Sequence, residues 1–305
     1  MSSKIRGVVP PLAIPLKDGK LDVPSLERHI NRLIEAGLDG LFVSGSTGEV
    51  AFSTAARRAQ IQREAVRIVD GRIPLLVGVI DTETERVIEN IKAVEEIGGA
   101  TGVVATAPFY ALGGETEVER HFRLLKENTS LELWAYDIPV CVHTKLSPDL
   151  LMRLGRDGVI DGVKDSSGDD VAFRRLVMAN EDAGHPLALL TGHELVVDGM
   201  LLLGADGVVP GYGNVEPRAY RDLWDAAVAG DWARARRIQD EIARNFECVF
   251  AVTGRSGDAT GVGAFKTAMA ALGTIATATM AFPVEPLEPA NAQAVLAVLR
   301  KNGLL

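Results

Sequence analysis

The stretch GVIDGVK, residues 158–164, carries the clearest fold signal of the chain and ends on a lysine, Lys164. It predicts a short buried strand, and the following DSSG, residues 165–168, predicts a polar turn. Desolvation at the inner end of a buried strand favours the neutral form of a lysine, and a neutral amine is a nucleophile. The alternative is a structural lysine that is paired, for example with Asp165. The rest of the chain decides between these two interpretations.

The composition excludes several classes of protein. The 305 residues are 47% hydrophobic and 24% charged, enough for one large core or for a core with a small appendage. A net charge of −9 argues against nucleic acid as a main partner. The longest apolar run, residues 199–205, is too short to cross a bilayer, so we expect no membrane partner.

The cysteines and histidines indicate whether disulfides or a metal site are to be expected. Cys141 and Cys248 provide no disulfide framework, and residues 1–7 resemble no export signal, so we expect a cytoplasmic protein. The five histidines are scattered and match no metal-binding spacing. We therefore expect no metal site.

Strand-like apolar runs recur at intervals of roughly thirty residues, the length of a β-α-β unit. Most are continuous rather than alternating, as expected of strands that are buried on both faces of a parallel sheet. Helical periodicity lies between them: Leu26, Ile30 and Leu33 share one face, and His29 beside that face is expected at the surface. The strand-like runs are residues 8–14, 40–43, 75–79, 102–106, 131–136, 158–164, 187–191 and 206–209.

Eight strands that alternate with helices predict an α/β fold of the (β/α)8 TIM-barrel type. A doubly wound sheet is the rival, but no GxGxxG motif follows the first strand. Beyond the barrel only helical patterns continue, at residues 232–249, 262–272 and 290–300. We expect a barrel over residues 1–222 that carries the active site and a small C-terminal helical domain over residues 223–305.

Functional side chains of a TIM barrel collect at the carboxyl ends of its strands. The second strand is followed by GSTGE, residues 45–49, in which Ser46 and Thr47 suit either an anion-binding nest or a tight turn with a helix cap. Tyr136 ends the strand before that of Lys164, either as a rim aromatic or as a proton-transfer group. The lysine, the tyrosine and the nest are more specific together than any one of them.

Three motifs, in this order and spacing, resemble the dihydrodipicolinate synthase / N-acetylneuraminate lyase family of Schiff-base aldolases. The resemblance extends from Gly7 to about residue 215, and a helical tail of the right size follows. A fourth stretch is similar to the last-strand loop of that family. The motifs are GSTGE at 45–49, YDIP at 136–139 and GVKD at 162–165, and the fourth stretch is GVVPG at 207–211.

The resemblance implies a role for each motif. Lys164 would form an imine with C2 of pyruvate or another 2-oxo acid, and the protonated imine would stabilise the enamine without any other cofactor. Ser46 and Thr47 would hold the carboxylate of that acid. Tyr136 would transfer protons with the Thr47 hydroxyl as a relay. Tyr110 would reach the site of a neighbouring subunit, which implies a homodimer or a homotetramer.

The part of the implied pocket that would bind the rest of the substrate, away from Lys164, differs from both main branches of the family. The Val209 carbonyl would line the pyruvate pocket, with Gly192 and Glu194 on the substrate side and Glu194 able to bind a hydroxyl. Cys141 stands where the synthase branch has an arginine for a second carboxylate, which argues against synthase activity. Leu195 replaces a second acid of the lyase branch, so a shorter 2-oxo acid is expected.

Two further positions are left open by the resemblance. His193 either faces the substrate or caps its loop. Asp137 stands where the family usually has asparagine, and the sequence alone gives this change no clear meaning.

We therefore expect a class I aldolase that cleaves or forms a short 2-oxo (3-deoxy) acid from pyruvate and an aldehyde. The alternatives are 4-hydroxy-tetrahydrodipicolinate synthase, a sugar-acid dehydratase that uses the same imine, and a binding or regulatory protein that kept the barrel. The presence of Lys164, Tyr136 and Thr47 argues against the last of these.

Overall fold

The computed structural model describes residues 5–305, and within them eight parallel strands form one curled sheet surrounded by helices. This is a TIM-barrel-like fold, as predicted. A parallel bridge between Pro11 and Phe42 links the first strand segment to the opposite edge of the sheet. The strands are β1 Gly7–Val8, β2 Leu16–Lys17, β3 Lys20–Leu21, β4 Leu41–Val43, β5 Leu75–Gly78, β6 Gly102–Thr106, β7 Glu132–Asp137, β8 Gly162–Asp165, β9 Ala188–Thr191 and β10 Gly207–Val208.

The helices occupy the segments between these strands and the end of the chain. Helices are present at all three C-terminal segments where the sequence has a helical pattern. No helix within residues 5–305 is long and apolar enough to span a membrane. The helices are α1 Val23–Glu35, α2 Ala55–Val69, α3 Thr84–Ile97, α4 Glu115–Glu127, α5 Pro139–Val142, α6 Pro148–Arg156, α7 Asp170–Asp182, α8 Val197–Leu203, α9 Pro217–Val228, α10 Trp232–Phe250, α11 Gly261–Ala271 and α12 Pro289–Lys301.

The strand that carries Lys164, β8, begins later than its apolar pattern suggests and ends at Asp165. It begins at Gly162, because Gly158 adopts a φ of +68° just after α6 and the chain has not yet straightened there. Asp161, just before β8, is bonded to β7, since its backbone N–H donates to the Leu133 carbonyl at 2.8 Å. A side chain at Gly162 would overlap the Trp134 ring, so this glycine lets β8 lie directly against the interior aromatic.

His29 is completely buried, and the prediction that it lies at the surface is wrong. Its Nε2 lies 2.8 Å from the side-chain oxygen of Asn214, which also accepts from the Ala13 N–H at 2.9 Å. Asn214 belongs to the 3₁₀ turn Gly211–Asn214, far away in sequence. The helical periodicity of α1 therefore could not predict that His29 is buried against Asn214.

Two buried histidines make the stability of the fold sensitive to acid. Burial lowers the pKa of both His29 and His121 to about 4, below the ordinary value of 6.5. Because the folded-state pKa is depressed, their contribution is complete above about pH 6.5 and is lost as the pH falls toward 4. We expect the free energy of unfolding to fall by about 2 kcal/mol per histidine between pH 7.5 and pH 4.5.

Urea unfolding at the two pH values measures this loss. His121→Gln is expected to show a smaller loss between the two pH values than the wild type, whereas the exposed His143→Gln variant is the control. An equal pH dependence in all three proteins would contradict the prediction.

Candidate active site

Lys164 lies inside the barrel beside two aromatic rings. It is 6% exposed and pairs in register with Tyr136 on β7. Its Nζ is 3.9 Å from the centroid of the Tyr136 ring and 5.0 Å from that of Phe42. The neighbouring Asp165 turns away and accepts from the backbone N–H and hydroxyl of Ser167, both at 2.8 Å. Within residues 5–305 the Lys164 ammonium has no ion-pair partner, which is the arrangement expected of a reactive amine.

The loop after β4 presents unused hydrogen-bond donors. It is closed by the Gly48 N–H, which donates to the Gly45 carbonyl at 3.0 Å, and by the Glu49 N–H to the Ser46 carbonyl at 2.9 Å. In the described part of the chain, neither the backbone N–H groups nor the hydroxyls of Ser46 and Thr47 have an acceptor. Unused donors on a tight loop suit a carboxylate.

Glu49, the last residue of the GSTGE motif, anchors this loop through buried contacts that were not predicted from the sequence. It is 2% exposed and forms a buried ion pair with Lys266 of α11, which is 0% exposed. Its second oxygen accepts from the Ala281 N–H at 2.7 Å, and the Lys266 ammonium also donates to the Thr279 carbonyl at 2.9 Å. Burial lowers the pKa of Lys266, against the effect of the Glu49 charge.

Three side chains from different elements meet at Gly211. A Cβ built there would lie 3.0 Å from Glu194 Oε1, 3.0 Å from Phe265 Cε2 and 3.4 Å from Thr47 Oγ1. Thr47 and Glu194 therefore lie close together around Gly211. A side chain at this first residue of the Gly211–Asn214 turn would crowd all three neighbours, so glycine allows the close packing.

Glu194 is held at the amino end of that turn. Its Oε2 accepts from the Tyr212 N–H at 2.6 Å and lies 3.5 Å from the Tyr220 hydroxyl. Burial raises the pKa of Glu194 to about 7, although these hydrogen bonds and the Lys164 charge oppose the rise. The buried carboxyl is thus close enough to Lys164 for their charges to interact.

The remaining predicted site residues are Val209, Gly192 and Tyr110, and each lies in a different part of the fold. Val209 is buried in the interior cluster, and its N–H donates to the Thr191 carbonyl at 2.7 Å. Gly192 lies against Ser166, and its N–H donates to the Asp165 carbonyl at 2.6 Å. Tyr110 is 95% exposed with a φ of +76°, so this chain does not bring it to its own Lys164.

His193 is bonded to its own loop and lies close to the start of α7. Its backbone N–H donates to the Thr191 hydroxyl at 3.0 Å, and its ring Nδ1 is 3.2 Å from Asp170 at the start of α7. Of the two interpretations offered by the sequence, the structure matches a residue that caps its loop.

Asp137 belongs to a charge cluster at the ends of β7 and β8. It is 0% exposed, forms an ion pair with Lys145, and accepts from the Leu146 N–H at 3.1 Å. The same Lys145 ammonium lies 3.9 Å from Asp165, the register partner of Asp137. Burial raises the pKa of Asp137, and the Lys145 charge opposes this. The cluster ties together the strand ends that carry Tyr136 and Lys164.

Residues 5–305 contain no group of three or more His, Cys, Asp or Glu side chains that could hold a metal ion. The constellation is instead a buried lysine, a tyrosine ring against it, and a loop of free donors. These are the parts that imine chemistry on an acid with a 2-oxo group requires.

Comparison with known proteins agrees with this geometry. Residues 4–302 match the model of the dihydrodipicolinate synthetase family. The chain belongs to this family. Enzymes of the family are pyruvate-dependent class I aldolases that work through a lysine Schiff base and need no external cofactor, so the resemblance, the enzyme class and the absence of an added cofactor are confirmed.

Individual relatives of this family cover almost the whole chain. The chain is 30% identical over 302 residues to a 4-hydroxy-tetrahydrodipicolinate synthase of Phenylobacterium zucineum strain HLK1, with 98% of each protein covered. It is similar to dihydrodipicolinate synthase of Thermotoga maritima, with a TM-score of 0.91, 26% identity, and 99% of this chain and 100% of that chain covered. It is also similar to YagE, a prophage protein of E. coli K12 solved in complex with pyruvate, with a TM-score of 0.91, 28% identity, and 98% of this chain and 99% of that one covered.

Proposed function

We propose that this family member forms its Schiff base at Lys164 and makes or breaks a carbon–carbon bond of a short 2-oxo (3-deoxy) acid, with pyruvate as one partner and an aldehyde as the other. The observation that carries the proposal is the unpaired, buried Lys164 ammonium, 3.9 Å from the Tyr136 ring centroid. An amine that is buried and not held in an ion pair is well placed to attack a carbonyl carbon.

The reaction begins at the Lys164 amine. The neutral amine adds to C2 of pyruvate, and the hydroxyl of the resulting carbinolamine takes up a proton and leaves as water, which gives a protonated imine. Loss of a proton from C3 then gives the enamine, whose electron pair attacks the aldehyde carbon; cleavage of a 2-oxo acid is the reverse. Tyr136 transfers protons during the formation of the imine, and the Thr47 hydroxyl acts as a relay.

The donors of the loop after β4 fix the other end of pyruvate. The N–H groups and hydroxyls of Ser46 and Thr47 bind its carboxylate, since these donors have no other acceptor in the described chain. The Val209 carbonyl and Gly192 line the same pocket, and Glu194 binds a hydroxyl of the substrate. Binding at both ends of a three-carbon acid orients its C2 carbonyl toward the amine.

A second candidate is the activity that the relatives carry in their names. The curated relatives matched over 98% of this chain include a 4-hydroxy-tetrahydrodipicolinate synthase, and that reaction would start from the same imine. Cys141 at the mouth supplies no cation for a second carboxylate, which is why we place the aldolase first.

We also propose a homodimer or homotetramer. Tyr110 and Leu112, 95% and 57% exposed, follow β6 on one side of the barrel. Val171 and Met178 of α7 and Leu202 of α8 are 73%, 55% and 64% exposed on helices that pack together. Exposed large apolar side chains are typical of subunit contacts, and Tyr110 is free to reach a neighbouring site.

We also propose the closure of the barrel, the domain bounds and the cellular location. The Pro11–Phe42 bridge supports a fully closed (β/α)8 barrel over residues 1–222, and the last three helices support a small C-terminal domain over residues 223–305. Two free cysteines support a cytoplasmic location.

Trapping of the imine tests the proposed function. Incubation of the protein with pyruvate and borohydride is expected to attach one reduced pyruvate adduct, which peptide mapping by mass spectrometry should locate at Lys164. Lys164→Arg should form no adduct, whereas Lys301→Arg, an exposed lysine of α12, should behave as the wild type. An adduct at another lysine, or none with any 2-oxo acid, would refute the proposal.

A further inference from the structure

The ends of β7 and β8 present different residues to the two faces of the sheet. Tyr136 and Lys164 are register partners, and the next pair along the same strands is Asp137 with Asp165. Tyr136 belongs to the apolar cluster inside the barrel. Because successive side chains of a strand point to opposite faces, the two acids lie on the outer face, where they are 0% and 6% exposed. The reactive pair and the acid pair are thus the two faces of one piece of sheet.

One lysine bridges the two acids. The Lys145 ammonium forms an ion pair with Asp137 and lies 3.9 Å from Asp165 Oδ2. It also donates to the Leu146 carbonyl at 3.1 Å. Within residues 5–305 no other cation lies within ion-pair distance of either carboxylate. Like charges at adjacent strand ends repel each other, and burial leaves this repulsion weakly screened. Lys145 therefore offsets the repulsion between the ends of β7 and β8.

The acids also fix the loops that follow the two strands. Asp137 Oδ1 accepts from the Leu146 N–H at 3.1 Å, and the Asp137 carbonyl accepts from the Ser166 N–H at 2.8 Å. Asp165 Oδ1 accepts from the N–H and the hydroxyl of Ser167, both at 2.8 Å. The backbone at both strand ends is thus fixed by contacts of the acid pair, and a shift of either acid moves the interior residue next to it.

We propose that Lys145 is a positioning residue for the reaction at Lys164. This inference rests on the proposed function and adds a residue to the machinery of the same site. By bridging the two acids on the outer face, the Lys145 ammonium sets the distance between Tyr136 and Lys164 on the inner face, where Nζ lies 3.9 Å from the ring centroid. Groups that react must be held closely, since a misplacement of about 1 Å can cost about 10²-fold in rate.

Exchange of the pyruvate methyl protons with deuterated water, followed by proton NMR, tests this role without any aldehyde. The exchange requires the imine to form and its C3 proton to leave. For Lys145→Met we expect the maximal exchange rate to fall by about 10²-fold. The pyruvate concentration that gives half of this rate should change by less than about threefold, because the carboxylate donors of Ser46 and Thr47 follow a different strand, β4.

Lys126 provides a matched control at the opposite end of the same two strands. Its side chain is 30% exposed, against 31% for Lys145. Its ammonium lies 3.5 Å from Asp161, directly before β8, and donates at 3.1 Å to the carbonyl of Leu131, directly before β7. Lys126→Met therefore removes a lysine bridge of similar exposure away from the reactive strand ends. Its exchange rate should stay within about twofold of the wild type.

Two combined variants separate positioning from stability alone. Lys145→Met with Asp137→Asn removes the repulsion between the acids, and the amide oxygen still accepts from the Leu146 N–H. We expect this pair of changes to recover at least about tenfold of the lost exchange rate. In a Tyr136→Phe background, Lys145→Met should lower the rate by less than about threefold, because its effect passes through the hydroxyl that is already absent.

The outcomes separate this inference from the function on which it rests. The positioning role is overturned by an unchanged rate in Lys145→Met, an equal loss in Lys126→Met, no recovery with Asp137→Asn, or a full effect in the Tyr136→Phe background. If Lys145→Met does not fold, Lys145→Gln, whose amide still donates to Asp137, replaces it and should lose at least about tenfold. A missing borohydride adduct at Lys164 in the wild type overturns the proposed function instead.

Discussion

Replacing Tyr136 with phenylalanine is expected to lower kcat by about 10²- to 10⁴-fold, the usual contribution of a positioned proton-transfer group. The substitution removes one hydroxyl and keeps the ring, which lies 3.9 Å from Lys164 Nζ and edge-on to Phe42. Packing of the interior cluster should therefore be unchanged. Steady-state turnover with pyruvate and the preferred aldehyde measures the loss.

Imine formation by the same variant is the control for its loss of turnover. Tyr136→Phe is expected to form the borohydride adduct with pyruvate, although more slowly, because the Lys164 amine and the Ser46–Thr47 loop remain in place. Unchanged turnover would show that another group transfers the proton. A complete loss of the adduct, together with an altered circular dichroism spectrum, would indicate a structural role for the hydroxyl.

Replacing Lys266 with methionine is expected to lower the free energy of unfolding by about 3–5 kcal/mol. The change leaves the Glu49 carboxylate, 2% exposed, without its counter-charge and removes the donor to the Thr279 carbonyl. An uncompensated buried charge is far more costly than the loss of a buried pair as a whole. Urea unfolding monitored by circular dichroism gives the difference.

A double variant separates the charge from the packing. Lys266→Met with Glu49→Gln removes both charges, and the glutamine oxygen still accepts from the Ala281 N–H. We expect it to recover at least half of the lost stability. Lys301→Met, on the surface of α12, should stay within about 0.5 kcal/mol of the wild type. If Lys266→Met were equally close to the wild type, the ion pair would have no role in holding the loop.

The sequence predicted the strands, and the place of Lys164 beside Tyr136, for a physical reason. Strands buried on both faces must be continuous apolar runs, so the eight strands are visible as such in the chain. Parallel strands bring their carboxyl ends to one mouth, and this alone places Tyr136 beside Lys164. The short antiparallel hairpin β2–β3 was missed, because each strand has only two residues.

The contacts that complete the site come from distant parts of the chain and have no local pattern. His29 is buried by Asn214, and Glu49 is paired with Lys266, 217 positions away. Lys145 joins two carboxylates that are adjacent only in the folded sheet. Periodicity and motif spacing depend on neighbours along the chain, so they cannot predict contacts between residues that are distant in sequence.

The Glu49–Lys266 pair also determines when the site is complete during synthesis. The loop of Ser46 and Thr47 lies in the first fifty residues, but its buried support comes from Lys266, Thr279 and Ala281 near the end of the chain. A nascent chain that contained all eight strands would still lack the charge that neutralises Glu49. Synthesis must therefore proceed past Ala281 before the loop of Ser46 and Thr47 acquires its final support.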